Sequence, residues 1–525
     1  MILNSHKMTV KVSVLLASLS LMAVFFSCQS VHSNASHQNV PVKSIENGEK
    51  LAKIYCQTCH QFPDPSLLDS KDWENGVLPE MGPRLGIFNF GFQFYPRSHD
   101  TLIGKNFYPY QPVVTLSQWQ DIFNYYTSTS PDSLPDQQRP AQIKMGLPFF
   151  SALEPDIHYR APATCYVKIN PGDSLHPIAL SDAFKGKLYF VNRNLKLADS
   201  IKGTGAVVDV DYLKTGLLAC DIGQLNPNNG KYGKGELYQR NSQGNYSLDT
   251  TFRLDSLQRP VQIVPVDLNK DGRTDYIVCE FGFMTGEFSW FENLGNHQFK
   301  KHILRDVPGA IKVYVDDYNH DGLPDIWALF AQGDEGIFLF TNKGNGQFDQ
   351  REVLKFPPIY GSSYFEMDDF NKDGYPDILY TCGDNADYSR VLKPYHGVYV
   401  FLNDGTNHFT QKYFFPIDGC YKAIARDFEG NGRLDIATIS FFADYKNQPQ
   451  ESFVYLQNKG NWEFQPYSLP EALNGRWLTM DVGDFDGDGK PDIILGNFSV
   501  GPTMMPHKVD WTRFPPFLVL KNISK

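Results

Sequence analysis

The second half of the chain alternates short apolar runs with polar turns at a regular interval. Ile311-Lys312-Val313-Tyr314-Val315 is followed by Ile326-Trp327-Ala328-Leu329-Phe330 and Ile337-Phe338-Leu339-Phe340, and a weaker run from Phe348 to Leu354 completes the group. Runs of this length, rich in β-branched and aromatic residues and bounded by Asn, Asp and Gly, predict strands. Between the first and second runs lies an Asp-rich loop, Asp-x-Asn-x-Asp-Gly-x-x-Asp or a close variant, which recurs five times at spacings of 50, 52, 58 and 57 residues. A fixed period of that size means a repeat architecture.

Four strands per repeat is the unit of a β-propeller blade. Two earlier units lack the loop but keep the runs: Thr164–Ile169 with Lys187–Val191, and Val207–Tyr212 with Leu217–Cys220. The expectation is therefore about seven four-stranded blades, with six or eight as alternatives. The last unit ends at Phe517–Leu520 without a fourth strand, and the strand near Cys165 is expected to supply it and close the ring.

Residues 45–130 have a different rhythm. Leu51, Ile54 and Tyr55 recur at helical spacing, and Pro63 and Pro65 stop that helix. Thr115 and Gln118 form a capping-box pattern ahead of Trp119, Ile122, Phe123, Tyr125 and Tyr126, which predicts a second amphipathic helix. At the N-terminus, Lys7 and Lys11 precede an apolar run from Val12 to Phe26, which is signal-peptide length and too short to span a bilayer. The chain thus divides into a signal peptide (1–27), a tether (28–44), a small all-α domain (45–130), a linker (131–160) and an all-β propeller (161–525).

Composition narrows the function classes. A formal charge of −11 excludes a nucleic-acid or basic membrane-binding surface, and 14% aromatic residues favour β-structure. Cys165, Cys220, Cys279, Cys382 and Cys420 sit mostly in apolar strand-like runs and read as buried thiols rather than a disulfide framework.

Two motifs carry chemistry. Cys56-Gln57-Thr58-Cys59-His60 is a C-x-x-C-H sequence: two thiols at the spacing of the porphyrin vinyl groups, followed by an imidazole that becomes the proximal iron ligand. A zinc half-site would need a second Cys/His pair, and a thioredoxin-like pair would sit in a βαβ pattern; neither is present. For the distal ligand, Met81 in the Pro/Gly-punctuated stretch Leu78–Gly86 is preferred, with His99 or an open position as alternatives. His/Met ligation suits electron transfer, and an open iron suits oxygen or peroxide chemistry.

The Asp-rich loops offer hard oxygens at positions 1, 3, 5 and 9 around a glycine at position 6. They are Asp267, Asn269, Asp271, Asp275; Asp317, Asn319, Asp321, Asp325; Asp369, Asn371, Asp373, Asp377; Asp427, Glu429, Asn431, Asp435; and Asp484, Asp486, Asp488, Asp492. Calcium takes six to eight oxygens and is the cation expected, up to five ions, with the fourth loop the weakest. The loops on the opposite face, Gly383–Gly397 (Asp384, Asn385, Asp387, Tyr388, Arg390, Lys393, Tyr395, His396) and Asn497–Pro516 (His507, Asp510, Trp511, Arg513), are long and polar and are the expected binding face.

The helical stretch around C-x-x-C-H resembles a class I cytochrome c domain over about 85 residues. The repeats resemble the FG-GAP or VCBS repeat of integrin-alpha-like propellers. The whole chain is similar to FG-GAP/VCBS-repeat lipoproteins with a fused cytochrome c. That resemblance implies one covalent haem c, calcium in the loops and an electron-transfer role. Phe25-Phe26-Ser27-Cys28 resembles a lipoprotein cleavage site, which implies lipidation of Cys28 and an exported outer-membrane lipoprotein facing the periplasm or the outside. The partner is then a redox protein or an oxidisable substrate, with a glycan as another possibility. Two competing readings are a propeller oxidoreductase that passes substrate electrons to the haem, and a polysaccharide lyase or glycan-binding propeller. Electron transfer is favoured over an independent hydrolase or lyase.

Overall fold

The computed structural model describes residues 34–203, 205–386, 388–501, 503 and 506–525. The expected signal peptide, the Cys28 lipidation site and Asp387 lie outside the described residues. Seven sheets follow one another along the chain, their blades running over 164–202, 207–257, 260–305, 310–355, 362–416, 420–468 and 477–522. In blades one to six the first four strands pair in sequence order, innermost to outermost, each antiparallel to the last, and in blade two a fifth, Leu254–Leu257, also pairs with the third. The innermost strands meet their neighbours all round the ring, blade seven against blade one included.

The second strands explain why the apolar runs are continuous rather than alternating. Gly216–Asp221, Asp275–Glu280, Asp325–Phe330, Asp377–Cys382, Asp435–Ser440 and Asp492–Asn497 are buried at every position, because a neighbouring blade covers each face. The five cysteines of the propeller are buried free thiols, as expected.

Closure differs from the expectation. The segment near Cys165 (Thr164–Ile169) is the innermost strand of blade one. The fourth strand of blade seven is Phe150–Leu153, which pairs antiparallel with Phe517–Asn522. A second piece of the expected linker, Lys144–Met145, adds in parallel to the outer edge of blade six. The chain therefore closes its ring by pairing a strand from before blade one with the last strand. Phe150 anchors this clasp, 8% exposed, with its ring edge-on to Phe428 at 5.5 Å and to Tyr455 at 5.4 Å. Phe150→Ala leaves a cavity between blades six and seven and is expected to cost about 3 kcal/mol, read as a lower urea midpoint.

Ahead of the ring, helix α1 (Val42–Tyr55) crosses helix α2 (Leu116–Thr129). The capping box forms: Thr115 Oγ1 accepts from the Gln118 N–H at 3.2 Å, and Gln118 Oε1 accepts from the Thr115 N–H at 2.9 Å. The crossing requires glycine at position 48, where a Cβ would lie 1.9 Å from the Asp121 carbonyl oxygen. Trp73, Trp119, Ile122 and Tyr126 fill the core between the helices.

Candidate functional site

The C-x-x-C-H motif sits where α1 ends. Cys56 caps the helix, its N–H bonded to the Ala52 carbonyl at 2.8 Å. Its half-buried thiol borders the helical core, and burial pushes it up to about 11. Cys59 is exposed. His60 is partly buried, and burial lowers its basicity. Its Nδ1 lies 2.8 Å from the Gln61 carbonyl oxygen, which fixes the ring with Nδ1–H as donor and leaves Nε2 for a metal. The charges that act on His60, Asp334 and Lys355, belong to blade four. The motif therefore faces the propeller.

Met81 is not in an open loop. It ends a helical turn, Leu78–Met81, that runs into a 3₁₀ turn, Gly82–Leu85. Pro79 and Pro83 each occupy a first turn, where proline's missing N–H costs nothing, and Gly86 stops the run at φ 81°. The Met81 side chain packs on the same core as Cys56. His99 is exposed, and its neighbour Asp100 is tied to blade two through Asn229 Nδ2 at 2.9 Å. A cavity of about 520 Å³ opens beside the helical core, between Ile87-Phe88 and Pro112–Leu116.

The two long polar loops differ, Gly383–Gly397 being docked and Asn497–Pro516 exposed at His507, Asp510 and Arg513. Gly383–Gly397 holds the helical segment: the Tyr395 hydroxyl donates to the Leu67 carbonyl at 3.0 Å, Val391 packs on the helical core, and Gly76 lies so close that a Cβ would be 2.1 Å from the Tyr388 carbonyl oxygen. Lys393 Nζ donates inside the loop to Asn385 Oδ1 and the Ser389 carbonyl, at 2.5 and 3.1 Å. Gln137 Nε2 donates to the carbonyls of Lys393 and His396, at 3.1 and 3.0 Å. Asp384, Asn385, Lys393, Tyr395 and His396 thus brace a junction, while Tyr388 and Arg390 are exposed. In Asn497–Pro516, Trp511 is buried against Tyr445, His507 stacks on it at 4.1 Å, and Asp510 pairs with Arg513 at 2.8 Å.

The five Asp-rich loops share one geometry. The first Asp accepts from the N–H groups of positions 5 and 6: Asp267 from Asp271 (3.1 Å) and Gly272 (3.0 Å), Asp317 from Asp321 (3.0 Å) and Gly322 (2.9 Å), and likewise Asp369, Asp427 and Asp484. The glycine at position 6 has φ between 78° and 91° in every copy, a conformation that side chains avoid. In the fifth loop Asp484, Asp486 and Asp492 bring carboxylate oxygens within 4.8 Å of one another. Position 5 is paired in the first loop, Arg273 to Asp271, and Lys521 pairs with Asp486 in the fifth. In the fourth, Glu429 turns to accept from Gln457 Nε2 at 2.7 Å.

Position 9 does something the sequence alone did not indicate. Asp275, Asp325, Asp377, Asp435 and Asp492 are fully buried. Each accepts the N–H of an asparagine at or near the end of the third strand: Asn293, Asn342, Asn403, Asn458 and Asn522, at 2.7–2.9 Å. The asparagine Nδ2 then donates to the carbonyl just before the aspartate, so each loop is locked to its own blade. Those asparagines read as ordinary turn residues in the sequence. Their recurrence in register with the aspartates was the available signal.

Among the described residues, no helix is long and apolar enough to cross a membrane. In solved structures the chain is similar to the Pan2 WD40 domain of Neurospora crassa (12% identity over 73% of this chain and 100% of that one, TM-score 0.42). It is also similar to Sqt1 of Saccharomyces cerevisiae (9%, 71% and 98%, TM-score 0.43) and to a protein from Lactobacillus plantarum (12%, 59% and 96%, TM-score 0.36). The family profile described as FG-GAP-like repeat matches residues 317–380 and 440–495. The chain is a seven-bladed β-propeller that carries FG-GAP-like repeats.

Proposed function

We propose that this is an exported electron-transfer protein, tethered by a lipid on Cys28, whose helical segment carries one covalent haem and whose calcium-stabilised propeller holds that segment and docks a partner. The observation that carries the reading is the C-x-x-C-H motif at the end of α1, with His60 Nδ1 engaged by Gln61 and Nε2 free. The donors fit a c-type haem: two free thiols for thioether bonds, an oriented imidazole, and the Met81 thioether on the apolar core that borders Cys56. When bound, the haem supplies reversible one-electron chemistry. The residues of this chain set its surroundings: Gln61 orients His60, the helical core excludes water, and the Gly383–Gly397 loop fixes the segment to the propeller.

The docked segment also bears on the two competing readings. A glycan-cleaving or substrate-oxidising face on the Gly383–Gly397 side would need loops that are instead engaged with residues 67–76 and 137. The reading is tested by producing the protein with a haem-attachment system and running it on a denaturing gel. Haem that stays with the polypeptide and is reducible by ascorbate supports it; protein that folds with unmodified thiols overturns it.

Calcium in the loops is supported by the shared all-oxygen geometry and the converging carboxylates of the fifth loop. Metal depletion is expected to lower the Tm, and the effect has a pH signature. Burial pushes Asp325 and Asp435 up to about 6 and Asp492 up to about 7. These groups bind protons more tightly folded than unfolded, so in metal-free protein their contribution is present at low pH and is lost as pH rises through 6 to 7. A bound cation favours the ionised form and reverses that loss. The calcium-induced rise in Tm is therefore expected to be larger at pH 7.5 than at pH 5, measured by differential scanning fluorimetry.

A further inference from the structure

Two stretches of the helical segment, 85–96 and 106–120, carry no charged side chain and are rich in aromatic rings. They run side by side: the Val113 N–H donates to the Leu85 carbonyl at 2.9 Å, and a Cβ on Gly86 would lie 2.8 Å from Pro112 Cα. The first stretch turns back on itself as a short hairpin, Asn89–Phe90 paired with Gln93–Phe94, with Gly91 at φ 58° in the turn. Phe90 and Tyr95 pack on the helical core, where the Tyr95 hydroxyl accepts the Trp119 indole N–H at 3.2 Å. Phe92 and Phe94 do not.

Phe92 is fully exposed, Phe94 is 88% exposed and Tyr110 is 97% exposed, with Val113 and Leu116 half-exposed beside them. Leu116 joins the two stretches, lining one hollow with Asn89, Phe90 and Gly91 and the next with Ile87, Phe88 and Val113. The side chains thus form one continuous apolar face rather than scattered exposed residues. At its rim stand two guanidinium groups, Arg84 3.9 Å over the Phe107 ring and Arg97 4.8 Å over the Phe88 ring. A projecting aromatic tip with arginines behind it matches the boundary of a bilayer, where rings lie among the headgroups and a guanidinium meets phosphate.

The length of chain ahead of the helical segment brings a bilayer to this face. Asn34 is fixed at the last turn of α2, its N–H donating to the Ser128 carbonyl and its Nδ2 to the Ser130 carbonyl, each at 3.0 Å. Leu116 is the first residue of the same helix, which has 14 residues and is about 21 Å long. Cys28 precedes Asn34 by six positions, a length of chain that spans up to about 20 Å. A lipid on Cys28, the part of the proposed function on which this inference rests, is therefore tethered loosely enough for the aromatic face to reach the bilayer that holds it.

We propose that Phe92, Phe94 and Tyr110 seat among the headgroups of the bilayer that holds the Cys28 lipid, laying the helical segment against the membrane. The test is flotation of the full chain carrying Cys28→Ser, which removes the lipid, through a density gradient with phosphatidylcholine vesicles. The expected result is flotation at millimolar lipid, weakened about tenfold by Phe92→Ser with Phe94→Ser. Both side chains are exposed, so the double variant is expected to keep its fold, read by circular dichroism. Protein that stays at the bottom, or that floats equally well with the double substitution, overturns the proposal. So does a concentration-dependent dimer that the double substitution abolishes, which would make the face a contact between copies. Hydrogen exchange on the Cys28→Ser chain gives an answer that needs no change to the face: protection of 87–95 and 110–117 on vesicles supports the proposal, and exchange indifferent to them overturns it. The mass of the mature wild-type chain tests the anchor separately. An acyl mass missing from Cys28 refutes the tether, while flotation of the Cys28→Ser protein still decides the face.

Discussion

Replacing Asp492 by alanine is expected to destabilise the propeller by about 3–5 kcal/mol, more than any surface acid of the same loop. The carboxylate is fully buried. One oxygen accepts the Asn522 N–H at 2.7 Å, and the other accepts the Phe485 N–H at 3.1 Å. Asn522 in turn donates to the Phe428 carbonyl of blade six at 2.8 Å, so the aspartate holds a residue that ties blade seven to blade six. Without it, two buried donors lose their acceptor and the asparagine loses its position. Asn522→Ala removes the tie and leaves the carboxylate, and is expected to cost about 2 kcal/mol. Urea unfolding in calcium and in metal-depleted buffer separates the two roles of Asp492. A cost that persists without calcium supports the clamp. One that vanishes there makes the residue a metal ligand and nothing more.

The second large effect concerns the helical segment. Cys56→Ala with Cys59→Ala is expected to abolish covalent haem attachment in protein made with the attachment system, with no haem surviving denaturation. The propeller is expected to keep its unfolding free energy to within about 1 kcal/mol, because neither thiol lies in its core. The single variants are expected to differ. Cys56 is half-buried against the helical core and Cys59 is exposed, so loss of Cys56 perturbs packing as well as attachment. Pyridine haemochrome absorbance against protein concentration reads the attachment, and circular dichroism reads the fold.

The blades were legible because a strand covered on both faces must be apolar throughout, and such runs recur with the Asp-rich loops in register. The two blades without those loops, which begin at Thr164 and Val207, were legible from the runs alone. The clasp was not. Phe150–Leu153 offers four residues, only Phe150 of them buried, so no periodicity marks it as a strand. The Gly383–Gly397 loop misled for a different reason. Polar residues such as Lys393 and Asn385 read as solvated, yet they satisfy one another and the backbone beneath a docked segment. Met81 reads as a loop residue because prolines flank it, but each proline opens a helical turn where it is tolerated.

The central claim, an electron-transfer haem on the helical segment, is tested most directly by the visible spectrum of matured protein, oxidised and reduced, for wild type and Met81→Ala. The account predicts a low-spin spectrum with a methionine-sulfur-to-iron charge-transfer band in wild type and loss of that band in the variant. A high-spin spectrum indifferent to the substitution would contradict it and place the chemistry at an open iron.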